Sequence, residues 1–124
     1  MHEYDLQIDP PAAYLSLQLI HPENGRIVTF RAKIDTGASM SVLPRTAVVD
    51  LGLTPSGDIF VSGFDRQVTQ LPLYTVTFQI EGYIFPSREV TVSPRQDVLL
   101  GRDLLNHFIL TLDGKNRTFN LIDP

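Results

Sequence analysis

Ile34-Asp35-Thr36-Gly37-Ala38-Ser39 is the stretch on which the reading of this chain turns. It closes a segment, Ile27 to Ile34, in which Val28, Phe30, Ala32 and Ile34 alternate with Thr29, Arg31 and Lys33. A period of two marks a strand with one buried face. Asp35 therefore stands where a strand ends and a loop begins, with a hydroxyl beside it and small residues behind it. Asp and Gly favour turns for stereochemical reasons, so this run alone carries little chemistry. A second run far downstream adds to it: Val98-Leu99-Leu100-Gly101-Arg102-Asp103-Leu104-Leu105. It reads as an apolar strand that turns sharply through a glycine into a short helix opened by a charged pair.

Outward from these two runs, most of the chain keeps the period of two. Tyr14 to Ile20 reads as a strand, and Pro22-Glu23-Asn24-Gly25 as the turn after it, with Asn24-Gly25 favouring a tight hairpin. Beyond the Asp35 loop come a short apolar piece, Ser41-Val42-Leu43, and a small helix over Arg45 to Asp50. Pro44 suits its first turn and Gly52 its stop. Asp58 to Val61 and Gln67 to Ile80 read as strands around a polar turn, Ser62-Gly63-Phe64-Asp65. Pro72 disfavours a central sheet position. Glu81-Gly82 is a further turn, Glu89 to Val92 a strand, and Leu104 to Phe108 a second short helix. A hairpin ends the chain: Ile109 to Leu112, a turn at Asp113-Gly114-Lys115-Asn116, and Thr118 to Ile122. The expected fold class is all-β, a small closed barrel of short strands with one or two short helices.

The 124 residues suffice for one domain, expected to span 1–124, and the hydrophobic share of 43% is that of an ordinary globular protein. The formal net charge is -4 and the cations are scattered singly, so no nucleic-acid surface is expected. Zero cysteines exclude a disulfide framework, a thiol nucleophile and a cysteine-based zinc site. His2, His21 and His107 have no metal-ligand spacing. There is no Gly-x-Ser-x-Gly elbow and no phosphate loop. No apolar run is long enough for a bilayer, and the acidic start, Met1-His2-Glu3-Tyr4-Asp5, lacks a signal-peptide layout. A cytoplasmic protein without membrane contact, metal or cofactor is the expectation.

The two runs together resemble the paired signatures of the retropepsin-like aspartic proteases, over about Ile27 to Leu112. In that family each chain supplies one catalytic Asp and two chains meet to make one site. The resemblance implies the small closed barrel, an aspartic endopeptidase acting on extended peptides, and a homodimer, because this chain holds a single Asp-Thr-Gly. Two carboxylates held a few ångströms apart cannot both ionise, so they share a proton and titrate jointly, as is known for aspartic proteases as a class.

By the same resemblance Asp35 is the catalytic carboxylate. Thr36 hydrogen-bonds across the two-fold axis, or else closes a local turn. Gly37 leaves room for the substrate backbone, and Ala38 fills space beneath the pair. In the covering hairpin Gly63 gives the flexible tip and Phe64 closes over a side-chain pocket; an ordinary surface hairpin is the other reading. Gly101 permits close approach to the Asp35 loop, and Asp103 favours the helix start. Arg102 lacks the acid that retroviral members place after their Asp-Thr-Gly, since Ser39 and Met40 stand there. Backbone carbonyls, Asp5, Asp9, another acid or solvent remain as its partners. The stretch before Asp35 and the terminal hairpin depart from the viral pattern, so the chain looks more like cellular or bacterial relatives. A catalytically silent peptide-binding or dimerisation module of the same fold is the alternative.

Overall fold

Along the chain run β1 (His2–Glu3), β2 (Tyr14–Ile20), β3 (Ile27–Ile34), β4 (Val42–Pro44), α1 (Arg45–Leu51), β5 (Gly57–Ser62), β6 (Val68–Ile80), β7 (Tyr83–Ser93), β8 (Val98–Leu100), α2 (Arg102–Leu105), β9 (Ile109–Asp113) and β10 (Thr118–Ile122). This computed structural model describes residues 1–63 and 65–123. Six strands lie in the order β2-β3-β8-β4-β7-β6, and β6 pairs back onto β2 through Gln18–Gln79, Leu19–Phe78 and Ile20–Thr77. The sheet is thereby closed into a barrel. A second small sheet, β1-β10-β9, stands beside it. Among the described residues no helix is long and apolar enough to cross a membrane.

Alternation decides what fills the barrel. Leu15, Leu17 and Leu19 of β2 are buried, as are Ala32 and Ile34 of β3, Val76, Phe78 and Ile80 of β6, and Val98 and Leu100 of β8. Each fully buried Leu, Ile, Val or Phe stabilises the fold by about 1.5–3 kcal/mol relative to exposure. β7 obeys the rule only in two pieces. Val76 faces Arg88 but Phe78 faces Phe85, so β7 carries one extra residue between them. Ser87 sits there at φ 50, and its N–H donates to Thr77 Oγ1 at 3.2 Å. The bulge moves the inward positions from Phe85 to Val90 and Val92, all three of them buried. A strand expected over Glu89 to Val92 is therefore longer, because the bulge breaks its visible period.

Other boundaries differ for local reasons. Strands β2 and β3 are joined by a wider loop than the tight turn Asn24-Gly25 suggests. His21 Nδ1 accepts the Glu23 N–H at 3.1 Å, and Gly25 takes a left-handed φ of 74°. Pro44 ends β4 in extended conformation and precedes α1, which Gly52 terminates at φ 70. α2 begins at Arg102, two residues before the expected Leu104, and ends at Leu105. The Gly101 carbonyl starts the first turn by accepting Leu105 N–H at 3.0 Å. Pro72 is paired to Asp58 of β5, while the β6–β7 ladder begins only at Tyr74–Val90, so no ladder bond to β7 is asked of its missing N–H.

Candidate active site

β8 lies between β3 and β4. It runs parallel to β3 through Ala32–Val98, Lys33–Leu99 and Ile34–Leu100, and meets β4 antiparallel at Val42–Leu99. A chain leaving β3 for β4 must cross the end of β8, and residues 35–41 make that crossing. Gly101 lies directly against it. A β-carbon there would stand 2.9 Å from the Ala38 carbonyl oxygen and 3.0 Å from the Met40 carbonyl carbon. Those are backbone atoms that cannot swing aside, so the position admits only glycine. The expected close approach of Gly101 to the Asp35 loop is thus a steric fact of the fold.

The crossing is tied down along its length. Asp35 N–H donates to Leu100 O at 3.0 Å, extending the β3–β8 ladder by one residue. Asp35 Oδ1 accepts the Gly37 N–H at 2.9 Å, which fixes the carboxylate plane and leaves Oδ2 outside that bond. Arg102 N–H donates to Ala38 O at 2.8 Å, and Arg102 Nη1–H donates to Thr36 O at 2.8 Å. Asp35 and Ala38 are half-buried, while Thr36 and Gly37 are exposed.

This resolves the partner of Arg102. It holds a main-chain carbonyl of the Asp35 loop itself. Asp5 is engaged instead by Arg31 at 2.7 Å. Among the described residues the Thr36 hydroxyl makes no local turn bond.

Asp103 does more than favour a helix start. Its Oδ1 accepts both the Ser41 hydroxyl at 2.7 Å and the Leu104 N–H at 3.0 Å, and its Oδ2 accepts the Ser41 N–H at 3.0 Å. Ser41 Oγ in turn accepts the Gly101 N–H at 3.0 Å. Ser41 is 0% exposed. Sequence reading passed over it as the first residue of the apolar piece Ser41-Val42-Leu43; a hydroxyl opening a buried strand was the available signal.

β5 and the first half of β6 form a hairpin that leaves the barrel. Its end is closed by Gly63 N–H donating to Gln67 O at 3.1 Å and by Arg66 N–H donating to Gly63 O at 3.0 Å. Gly63 lies at this tip as expected. Phe64 lies outside the described residues. The even positions of β6 face the core from Ile80 back to Val76, and the same side continues through Pro72, Gln70 and Val68. Their partners across the hairpin are Asp58, Phe60 and Ser62. Phe60 and Val68 therefore share the face that continues the core side of β6, yet they are 69% and 62% exposed. Sequence reading did not single them out, although the period of two extends to them.

The aspartyl protease family profile matches residues 22–104. Three of the solved structures that share the fold illustrate the likeness. A retropepsin-like aspartic protease from Rickettsia conorii is 18% identical, with a TM-score of 0.58 over 91% of this chain and 84% of that one. The EIAV protease complexed with the inhibitor HBY-793 is 20% identical, with a TM-score of 0.57 over 83% of this chain and 90% of that one. The foamy viral protease-reverse transcriptase in complex with an RNA/DNA hybrid is 20% identical, with a TM-score of 0.52 over 74% of this chain. This chain spans only 11% of its length. A search of curated proteins gave no match. The chain belongs to the retropepsin-like aspartic protease family.

Proposed function

We propose that residues 1–124 act as one domain, half of an aspartic endopeptidase, and that two copies meet about a two-fold axis with their Asp35 carboxylates apposed. The observation that carries this reading is the clamped Asp35 itself. Its N–H is held by Leu100, its Oδ1 by Gly37, and the loop carbonyls behind it by Arg102. Half-buried Asp35 and exposed Thr36 and Gly37 suit a site completed by a second surface.

In the proposed dimer the two carboxylates share one proton. The ionised member takes a proton from a water as that water attacks the scissile carbonyl carbon. The protonated member gives its proton to the carbonyl oxygen. Collapse of the tetrahedral species returns a proton to the departing amine, leaving a carboxylate and a free amine. Thr36 steadies the two loops against each other, and Gly37 lets the substrate backbone lie close. Gly63, Phe60 and Val68 belong to the hairpin that covers an extended peptide bound by main-chain hydrogen bonds. Such a pair needs its shared proton, so cleavage is strongest on the acidic side and falls toward neutrality.

The test is cleavage of an unbiased peptide mixture across acidic pH, wild type beside Asp35→Asn. We expect cleavage by the wild type and none by the nearly isosteric variant, with fold and dimer kept. Cleavage by purified Asp35→Asn would place the activity elsewhere. No cleavage by either, from a stable dimer, would favour the silent peptide-binding module.

A further inference from the structure

The peptide group joining Leu100 to Gly101 is used at both ends. Its oxygen accepts the Asp35 N–H at 3.0 Å, and its N–H donates to Ser41 Oγ at 3.0 Å. A peptide unit is planar and rigid, so whatever orients its N–H also orients its oxygen. Ser41 cannot turn freely. Its hydroxyl hydrogen is directed to Asp103 Oδ1 at 2.7 Å and its own N–H to Asp103 Oδ2 at 3.0 Å. An unbroken series of bonds thus runs from the Asp103 carboxylate through Ser41 and one peptide plane to the backbone of Asp35.

We propose that Ser41, oriented by Asp103, is a positioning residue for Asp35. It holds the Leu100–Gly101 peptide plane in the one rotation that presents its oxygen to Asp35. This deepens the peptidase reading and rests on it. The two neighbours in sequence divide the work. Arg102 grips the carbonyls of Thr36 and Ala38 from the exposed side. Asp103 grips the buried end of the crossing, where Ser41 is inaccessible to water. A serine hydroxyl both donates and accepts, and both capacities are used here. Alanine supplies neither, leaving the buried Gly101 N–H without a partner and the plane free to rock.

The test pairs steady-state kinetics with amide hydrogen exchange on the dimer at acidic pH, for wild type, Ser41→Ala and Asp103→Asn. In folded, dimeric Ser41→Ala we expect kcat to fall at least about tenfold with KM little changed, since a small misplacement of a reacting group is costly. The Asp35 and Gly101 amides exchange faster, while the amides of Leu19 and Phe78 in the barrel keep their protection. Asp103→Asn keeps the volume but offers one carbonyl oxygen for three donors. It moves the same readouts in the same direction and carries the test if Ser41→Ala fails to fold. A purely structural role would lower the folded fraction while leaving kcat per folded dimer and Asp35 exchange unchanged, and that result overturns the proposal. If the wild type cleaves nothing, the peptidase reading fails; the exchange of Asp35 still decides whether Ser41 holds it.

Discussion

Asp5 and Asp35 both accept backbone N–H bonds, and they sit in opposite circumstances. Asp35 Oδ1 uses its bond to fix a carboxylate beside exposed Thr36 and Gly37. Asp5 uses its bond, from Gln7 N–H at 2.9 Å, to pin the segment before β2, with Arg31 bonded at 2.7 Å and stacked over Tyr14. The Gln7 N–H first, and the Arg31 guanidinium second, hold the Asp5 carboxyl below the usual carboxylate range. Because the folded pKa is depressed, the contribution of Asp5 to stability is fully present above the unfolded carboxylate pKa. It is lost only as pH falls through the lower folded value. We therefore expect wild type to melt slightly above Asp5→Asn at mildly acidic pH, the gap closing below the carboxylate range. Thermal melts over a pH series check this, and a gap that persists at the acid end would assign the effect to packing instead. The gain is small, because the pair is exposed. These residues also mark what a sequence can disclose. The Asp-Thr-Gly run and the glycine turn announce Asp35 and Gly101 through side-chain identity. Arg102 and Ser41 act through main-chain atoms of Thr36 and Gly101, and no pattern of side chains records a bond to a carbonyl or an amide hydrogen.

The β5–β6 hairpin depends little on the core for its contacts. Phe60 and Val68 are mostly exposed although they continue the side of β6 that fills the barrel. An apolar side chain left in water on a covering hairpin gains its burial when something lies beneath it. In the peptidase reading that occupant is the substrate. Phe60→Ala is then expected to raise KM about tenfold, the worth of one partly buried apolar side chain, with little change in melting temperature. Steady-state kinetics and a thermal melt separate the two effects. A lowered melting temperature with unchanged KM would make this an ordinary surface hairpin. Elements with one buried face and no irregularity were legible to the residue: β2 and β3 fall where alternation puts them. β7 was legible only after its bulge, because one extra residue near Ser87 moves every later inward side chain to the opposite parity. β1 has two residues, too few for any period to show.

In the peptidase reading one Asp-Thr-Gly per chain makes the dimer the condition for chemistry, and the small sheet has an edge at which that reading can be tested. Barrel closure removes edges from six strands. Among the described residues β9 pairs only with β10, which leaves its other edge open. Natural proteins guard such an edge with lysine, proline or a bulge. Ile109-Leu110-Thr111-Leu112 carries no charge, proline or bulge, and the one charge of β9, Asp113, stands at its last position. Ile109, Leu112 and the neighbouring Ile122 are exposed as well. Two copies of one strand can pair antiparallel only about a two-fold axis, and centred on Thr111 this strand sets Leu110 against Leu112 with no like charges opposed. Nothing in the alternation of this strand distinguishes an edge awaiting a second chain from one facing water, so the sequence was silent here. Thr111→Lys adds a charge at the centre of that edge while leaving the barrel core untouched. We expect its monomer to melt like the wild-type monomer. Sedimentation at matched concentrations is expected to show dissociation at least about tenfold earlier on dilution, as like charges meet at the axis. Peptide cleavage per chain is then lost in the same concentration range. A variant that stays dimeric and fully active would move the dimer contact away from β9 and leave Asp35 to be paired through another face.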